Sequence, residues 1–201
     1  MADSQQDKSA AILDEARKEL SSLGYIIEND GLPWHALPLT SITASRDSLE
    51  VDDPVMVINK FEAFAIGFDL TWETGTAVGG CGLFLRSEDS TQERQQYLLY
   101  TLRLSSLWFI EIKGGKEEQD RLFSGSSQAI DVEQKGQNHY LFIFEPNRVN
   151  LHVNGVFLSS AEFRATPYVR IRYVAFDQYG ATTCDFSNLW ATAISKRPVG
   201  P

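Results

Sequence analysis

Phe64-Ala65-Ile66-Gly67-Phe68-Asp69-Leu70-Thr71-Trp72 alternates without a break. Large apolar side chains take every second position, with Ala, Gly, Asp and Thr between them. A helix needs apolar residues three and four apart, whereas a period of two puts successive side chains on opposite faces of a strand. One face is large and apolar, the other small or polar. The stretch therefore reads as a half-buried strand.

The same period continues toward the C-terminus. Cys81, Leu83 and Leu85 share one face, with Gly82, Phe84 and Arg86 on the other. Strands follow over Tyr97 to Leu104 and Leu107 to Lys113, then a break at Gly114-Gly115 and a short strand around Leu122. Tyr140, Phe142 and Phe144 form another inward row. Val149, Leu151 and Val153 lead into Asn154-Gly155 and then Val156-Phe157-Leu158. Asn-Gly between apolar runs signals a tight hairpin, because a type I′ turn needs positive φ twice. Val169, Ile171, Tyr173 and Ala175 make a further strand, and Thr183 to Ile194 the last. With about ten strands and no helix between them, a βαβ layout is excluded. The expected fold is all-β, an antiparallel jelly-roll sandwich.

Toward the N-terminus the period changes. Ile12, Leu13, Ala16, Leu20 and Leu23 form one stripe at helical spacing, over Ser9 to Leu23. Asp7 or Ser9 is placed to cap its start, Gly24 to close its end, and Asp14 to pair with Lys18. The expected organisation is a helical arm over 1–30, a sandwich over 31–196 and a tail over 197–201. An arm packed on the sandwich is the simpler reading; a partner-binding helix would leave the stripe on Ile12, Ala16 and Leu20 exposed.

The chain has 201 residues, 43% of them hydrophobic and 11% aromatic, enough for a packed core. Eighteen Lys and Arg stand against 27 Asp and Glu, for a net charge of −9. With no basic cluster, this charge disfavours nucleic acid and anionic membranes as partners. No apolar run is long enough to insert into a bilayer, and the start carries no secretory pattern. The two cysteines, Cys81 and Cys184, read as buried thiols in a reducing cytoplasm, with a bridge between them left open.

The order of features around these strands is distinctive. Phe61-Glu62-Ala63-Phe64-Ala65-Ile66-Gly67-Phe68-Asp69-Leu70 precedes Gly80-Cys81-Gly82-Leu83-Phe84-Leu85-Arg86. Asn138-His139-Tyr140-Leu141-Phe142-Ile143 and Val149-Asn150-Leu151-His152-Val153-Asn154-Gly155 come later, and the chain closes on Cys184-Asp185-Phe186-Ser187-Asn188-Leu189-Trp190. From about residue 40 to 195 this resembles the concanavalin A-like lectin/glucanase superfamily, in its laminin-G-like and 3-keto-disaccharide-hydrolase-like branches. The resemblance implies two curved sheets packed face to face, with ligands on the concave face or the loop rim.

Catalytic patterns are absent. Glycosidases need two carboxylates about 5–9.5 Å apart. The glucanases of the resembled superfamily carry them as Glu-x-Asp-x-x-Glu, and no such run occurs here. Asp131 and Glu133 are expected to share a solvated strand face. His35, His139 and His152 lack ligand spacing, and neither cysteine has an adjacent base. No cofactor is expected. Lectins and laminin-G domains of the resembled fold often bind calcium through loop carboxylates, for which Asp52-Asp53, Glu88-Asp89, Glu117-Glu118-Asp120 and Asp177 are the candidates; no Asp-x-Asn-x-Asp loop occurs, and solvated charge runs are the simpler reading.

Binding chemistry is better represented. Sugars stack on exposed aromatics beside polar groups that read their hydroxyls. Trp72 and Trp190 read as core. Trp34, between Pro33 and Pro38, is the least constrained tryptophan, and Trp108 faces away from Phe109. Arg86, Arg103, Arg170 and Arg172 alternate with apolar neighbours, and Tyr100 shares a strand face with Gln96. Trp34, Arg86, Tyr100, Arg103, Trp108, Arg170 and Arg172 are the candidate binding residues. The expected function is a non-catalytic module for a glycan or a protein partner, of undetermined oligomeric state. A sugar-active hydrolase would need a carboxylate and histidine cluster in one pocket, such as His139 or His152 beside Asp131 or Asp177. A structural role in a larger assembly is the third alternative.

Overall fold

The computed structural model describes residues 2–27, 39–51, 56–59, 63–74, 79–87, 96–102, 106–113, 116–123, 128–131, 133, 135–162 and 168–196. Of these, 2–9, 56–59, 85–87, 96–102, 106–113, 116–123 and 168–170 are described by their backbone alone. One helix, α1 (Ala2–Ser22), precedes fourteen strands: β1 (Tyr25–Ile27), β2 (Thr40–Ala44), β3 (Ser48–Val51), β4 (Met56–Asn59), β5 (Phe64–Thr74), β6 (Gly80–Ser87), β7 (Gln96–Leu102), β8 (Ser106–Lys113), β9 (Lys116–Phe123), β10 (Gln137–Glu145), β11 (Arg148–Val153), β12 (Val156–Glu162), β13 (Tyr168–Asp177) and β14 (Thr182–Lys196).

The strands form two antiparallel sheets of seven. Sheet 1 runs β1-β14-β5-β10-β11-β12, with β2 also beside β14; sheet 2 runs β3-β13-β6-β7-β8-β9, with β4 also beside β13. The alternating row of β5 points between them: Phe64, Ile66, Phe68, Leu70 and Trp72 all enter the inter-sheet core. Tyr140, Phe142 and Phe144 of β10 and Leu83, Ile171 and Tyr173 of sheet 2 meet them there. Phe64 stacks on Phe144 at 4.4 Å, and Tyr173 stacks across the sheets on Phe186 at 4.1 Å. Burial of this apolar surface is the main favourable term in folding.

The second face of β5 is not solvated as its small residues suggested. Ala65 is buried and Gly67 lies beneath Trp190, where an added Cβ would collide with the indole ring. Ala65, Leu141, Ile143, Trp190 and Ile194 form a second apolar cluster with Ala16 and Leu20 of α1. The helix is thus laid on the outer face of sheet 1, and the stripe on Ile12, Ala16 and Leu20 is used up by that packing. Trp190 is buried as expected, but here rather than between the sheets.

Other expectations change in detail. The helix starts at Ala2, so Asp7 and Ser9 lie inside it rather than capping it. Gly24 closes it with φ +85°. Asp14 pairs with Arg17 at 3.2 Å, not with Lys18. Asn154 and Gly155 turn between β11 and β12 with φ +50° and +77°. The strand after Gly114-Gly115 is longer than the short one expected, because β9 pairs with β8 from Lys116 onward. Asp131 and Glu133 lie in the segment before β10, where the Asp131 carboxylate accepts the Glu133 amide at 3.0 Å. The cysteines are not free thiols: Cys81 of β6 and Cys184 of β14 form a disulfide that ties one sheet to the other.

Candidate functional site

Two sites emerge, one on the outer face of each sheet. On sheet 2, strand register gathers residues that are far apart in sequence. Ile171, Tyr173, Cys81 and Leu83 enter the core, so the alternate positions lie on the outer face. Arg170 stands directly opposite Arg86, which stands opposite Gln96. Arg172 is opposite Phe84, Val174 opposite Gly82, Gly82 opposite Tyr100, and Tyr100 opposite Trp108. Five of the seven candidate residues therefore occupy positions on one face, four of them known by backbone register alone. Trp34 and Arg103 lie outside the described residues.

The centre of this face is shielded from solvent. Val174 and Gly82 are buried, while Phe84 and Arg172 are half-buried. The Arg172 Nε is buried and meets no acceptor among the described residues.

The second site lies on sheet 1, under α1. The His139 Nδ1 is 2.6 Å from Asp69 Oδ1, and its Nε2 is 3.2 Å from Glu19 Oε2. Asn188 donates to Asp69 Oδ2 at 2.6 Å, and Gln137 donates to it at 3.3 Å. Asn188 reaches the carboxylate from a bulge in β14 between Ser187 and Trp190, with φ +54°. A bulge in a strand re-aims a side chain in this way. The cluster opens on a cavity of about 260 Å³ lined by Ile12, Glu15, Ala16, Glu19, Asp69, His139, Asn188 and Trp190.

Electrostatics follow from these contacts. Burial alone would lower the pKa of His139, but hydrogen bonds to Asp69 and Glu19, and the charges of both, lift it to about 9. Burial would raise that of Asp69, yet hydrogen bonds from His139, Asn188 and Gln137 hold it below the usual carboxylate value. His152, on neighbouring β11, is pushed down by burial, with the Glu19 charge opposing; its Nδ1 has no hydrogen-bond partner among the described residues. An imidazolium held between two carboxylates fastens α1 to the sheet.

This cluster was not legible in the sequence. Asp69 is one polar residue on a small-residue face, Glu19 one helix charge among several, and His139 one histidine of three. The available signal was an acid interrupting the series Ala65-Gly67-Asp69, where a purely solvated face needs no glycine. The expected neighbours of His139 are occupied elsewhere. Asp177 is fully buried and accepts the Tyr179 and Gly180 amides at 2.8 and 2.7 Å and the Thr182 hydroxyl at 2.7 Å. Among the described residues, no group of three or more His, Cys, Asp and Glu side chains is arranged to hold a metal ion. Asp52-Asp53 and Glu88-Asp89 lie outside them. No helix among the described residues is long and apolar enough to cross a membrane.

No protein-family model matches the chain, and no curated protein does. Solved structures match it in shape. A functionally unknown protein from Saccharomyces cerevisiae aligns with TM-score 0.54 at 11% identity, over 89% of this chain and 98% of that one. A glycoside hydrolase family 16 endo-glucanase from Bacteroides ovatus aligns with TM-score 0.54 at 8% identity, over 86% of each chain. The laminarinase catalytic domain from Thermotoga maritima gives 0.50 at 10%, over 86% and 80%. The fold is the concanavalin A-like jelly roll. At these identities the likeness concerns fold and not activity. Within this concanavalin A-like frame, the outer-face positions of β13, β6, β7 and β8 hold no Asp or Glu; the one acid in the rows described above is Glu117, opposite Ile112 at the far edge.

Proposed function

We propose that the domain is a non-catalytic binding module that recognises a carbohydrate on the outer face of sheet 2. The carrying observation is the Tyr100–Trp108 cross-strand pair, in register with the buried Gly82 and Val174. Aromatic residues are the type on which sugar rings stack, and glutamine and arginine, the residue types at the neighbouring positions, are suited to donate to hydroxyls. The fold supports the reading, since two of the similar structures are an endo-glucanase and a laminarinase. Among the described positions the centre of the face carries no acid, which supports binding over hydrolysis. The disulfide favours an oxidising compartment over the reducing cytoplasm expected from the sequence.

A glycan array probed with the purified domain, with and without calcium, tests this. Saturable binding to one sugar class, lost in Trp108→Ala, is expected; calcium dependence would bring in the acidic segments as metal ligands. A blank array in both conditions would reject the glycan reading and turn attention to a protein partner on the same face.

One observation favours a second reading, a sugar-active hydrolase of the 3-keto-disaccharide-hydrolase type. The cavity under α1 holds a carboxylate–histidine cluster, the arrangement such an enzyme requires. Against it, the His139 ring is bonded on both nitrogens, to Asp69 and to Glu19, which leaves neither nitrogen free for a substrate. Turnover of a 3-keto-disaccharide that disappears in His139→Gln would reverse the order of the two readings.

A further inference from the structure

We propose that the ligand of sheet 2 is an anionic glycan, one bearing carboxylates or sulfates, held by Arg86, Arg170 and Arg172; this rests on the glycan reading above. The chain is strongly acidic overall, at −9, yet this face is not. Its rows carry three arginine positions and a single acid, Glu117, at the edge. Arg170 and Arg86 are directly cross-strand, a juxtaposition in which like charges destabilise a sheet. Arg172 lies two residues along the same strand, so all three share one face.

Arg172 adds an observation of its own. It is half-buried, and its Nε has neither water access nor an acceptor among the described residues. A buried donor without a partner is costly, and a guanidinium more so than a neutral group. An incoming anion answers both features at once. It neutralises the opposed pair and gives the Arg172 fork the planar oxygens it is shaped to hold. A neutral sugar supplies hydroxyls but no charge to set against two arginine positions that stand opposite one another.

The test compares three sets of oligosaccharides of matched length: neutral, uronate-containing and sulfated. Binding is measured by calorimetry at low and physiological salt. The expected result is binding of an anionic set roughly tenfold to a hundredfold tighter than the neutral set. The preference should weaken with salt and collapse in Arg172→Gln, while Arg172→Lys, which keeps the charge but loses the fork, should fall between. Preference for uronate over sulfate, or the reverse, identifies the anion. Thermal melts of both variants control for folding. Equal binding of neutral and anionic sets, or anion binding unmoved by either Arg172 variant, would overturn the inference and leave the glycan reading standing. No binding of any set would overturn both.

Discussion

At the residue scale, His139 shows how partners outweigh burial. An imidazole under a helix would ordinarily be neutral, but two carboxylates within hydrogen-bond reach keep it charged to about pH 9. Its folded pKa lies above the ordinary 6.5, so its contribution is complete below about pH 6.5 and fades as pH rises through about 9. The shift sets an upper bound of roughly 3 kcal/mol, which solvent screening of the partly exposed ring reduces. Asp69 behaves in the opposite sense: its depressed pKa adds stability above its ordinary 3.8 that is lost as pH falls through the folded value. His152, held neutral by burial, also costs stability in acid, because below about pH 6.5 the unfolded chain takes up a proton more readily. Glu15 and Glu19 on α1 face the same region. Denaturant titrations from pH 5 to 10 should therefore show an alkaline decline in the wild-type chain that His139→Gln removes, and proton NMR should place the His139 midpoint near 9. A midpoint near 6.5 would mean that the ring is not held between the two carboxylates. Gly67 is the other residue with a sharp expectation. Gly67→Ala forces a methyl into the Trp190 ring and should cost about 1–3 kcal/mol, seen as a fall of several degrees in Tm. An unchanged Tm would mean that Trp190 packs elsewhere.

At the scale of elements, α1 is joined to sheet 1 by an apolar patch and by a polar fastening. Leu20 is fully buried and Ala16 nearly so, against Leu141, Ile143, Trp190 and Ile194. Glu19, one residue before Leu20, reaches His139. The two attachments are separable. Leu20→Ala should cost about 2–4 kcal/mol and raise amide hydrogen exchange throughout the helix. Glu19→Gln should leave the apolar patch intact while lowering the His139 midpoint. If Glu19→Gln leaves that midpoint unmoved, the 3.2 Å contact contributes nothing in solution. The helix was readable from its stripe because helical spacing and burial coincide there. Its first turns were not, since Ala2 to Lys8 has no apolar pattern to mark them. Only the end of β9 around Leu122 was readable, for a related reason: Lys116-Glu117-Glu118-Gln119-Asp120 is polar on both faces, and its strand identity comes from pairing with β8 rather than from its own composition.

At the scale of the molecule, the sandwich was legible because each sheet face imposes a period of two, which survives in the sequence wherever one face is buried. Which face Arg170, Arg172 and Tyr100 occupy was legible for the same reason. Their neighbours across the sheet were not, because register is fixed by pairing between strands distant in the chain. The Asp69–His139–Glu19 cluster joins a helix and two strands, and nothing in any one of them announces the other two. The disulfide belongs to this class as well. Cys81 and Cys184, 103 residues apart, lie on strands of different sheets that otherwise meet only through side chains. Cross-linking a loop of that length removes conformational freedom from the unfolded chain worth about 4–5 kcal/mol in the chain-entropy model, and removing a native bridge commonly costs about 2–5 kcal/mol. For a chain of this size that corresponds to a fall in Tm of roughly 5–15 °C. Thiol titration of the denatured, unreduced protein should find no free thiol, and calorimetry with reductant should show the lower Tm. Cys81→Ala/Cys184→Ala should melt near the reduced wild type, because both lose the same constraint. Two titratable thiols with a Tm indifferent to reductant would mean that the sheets hold together by packing alone, and would return the pair to the buried thiols its sequence suggested.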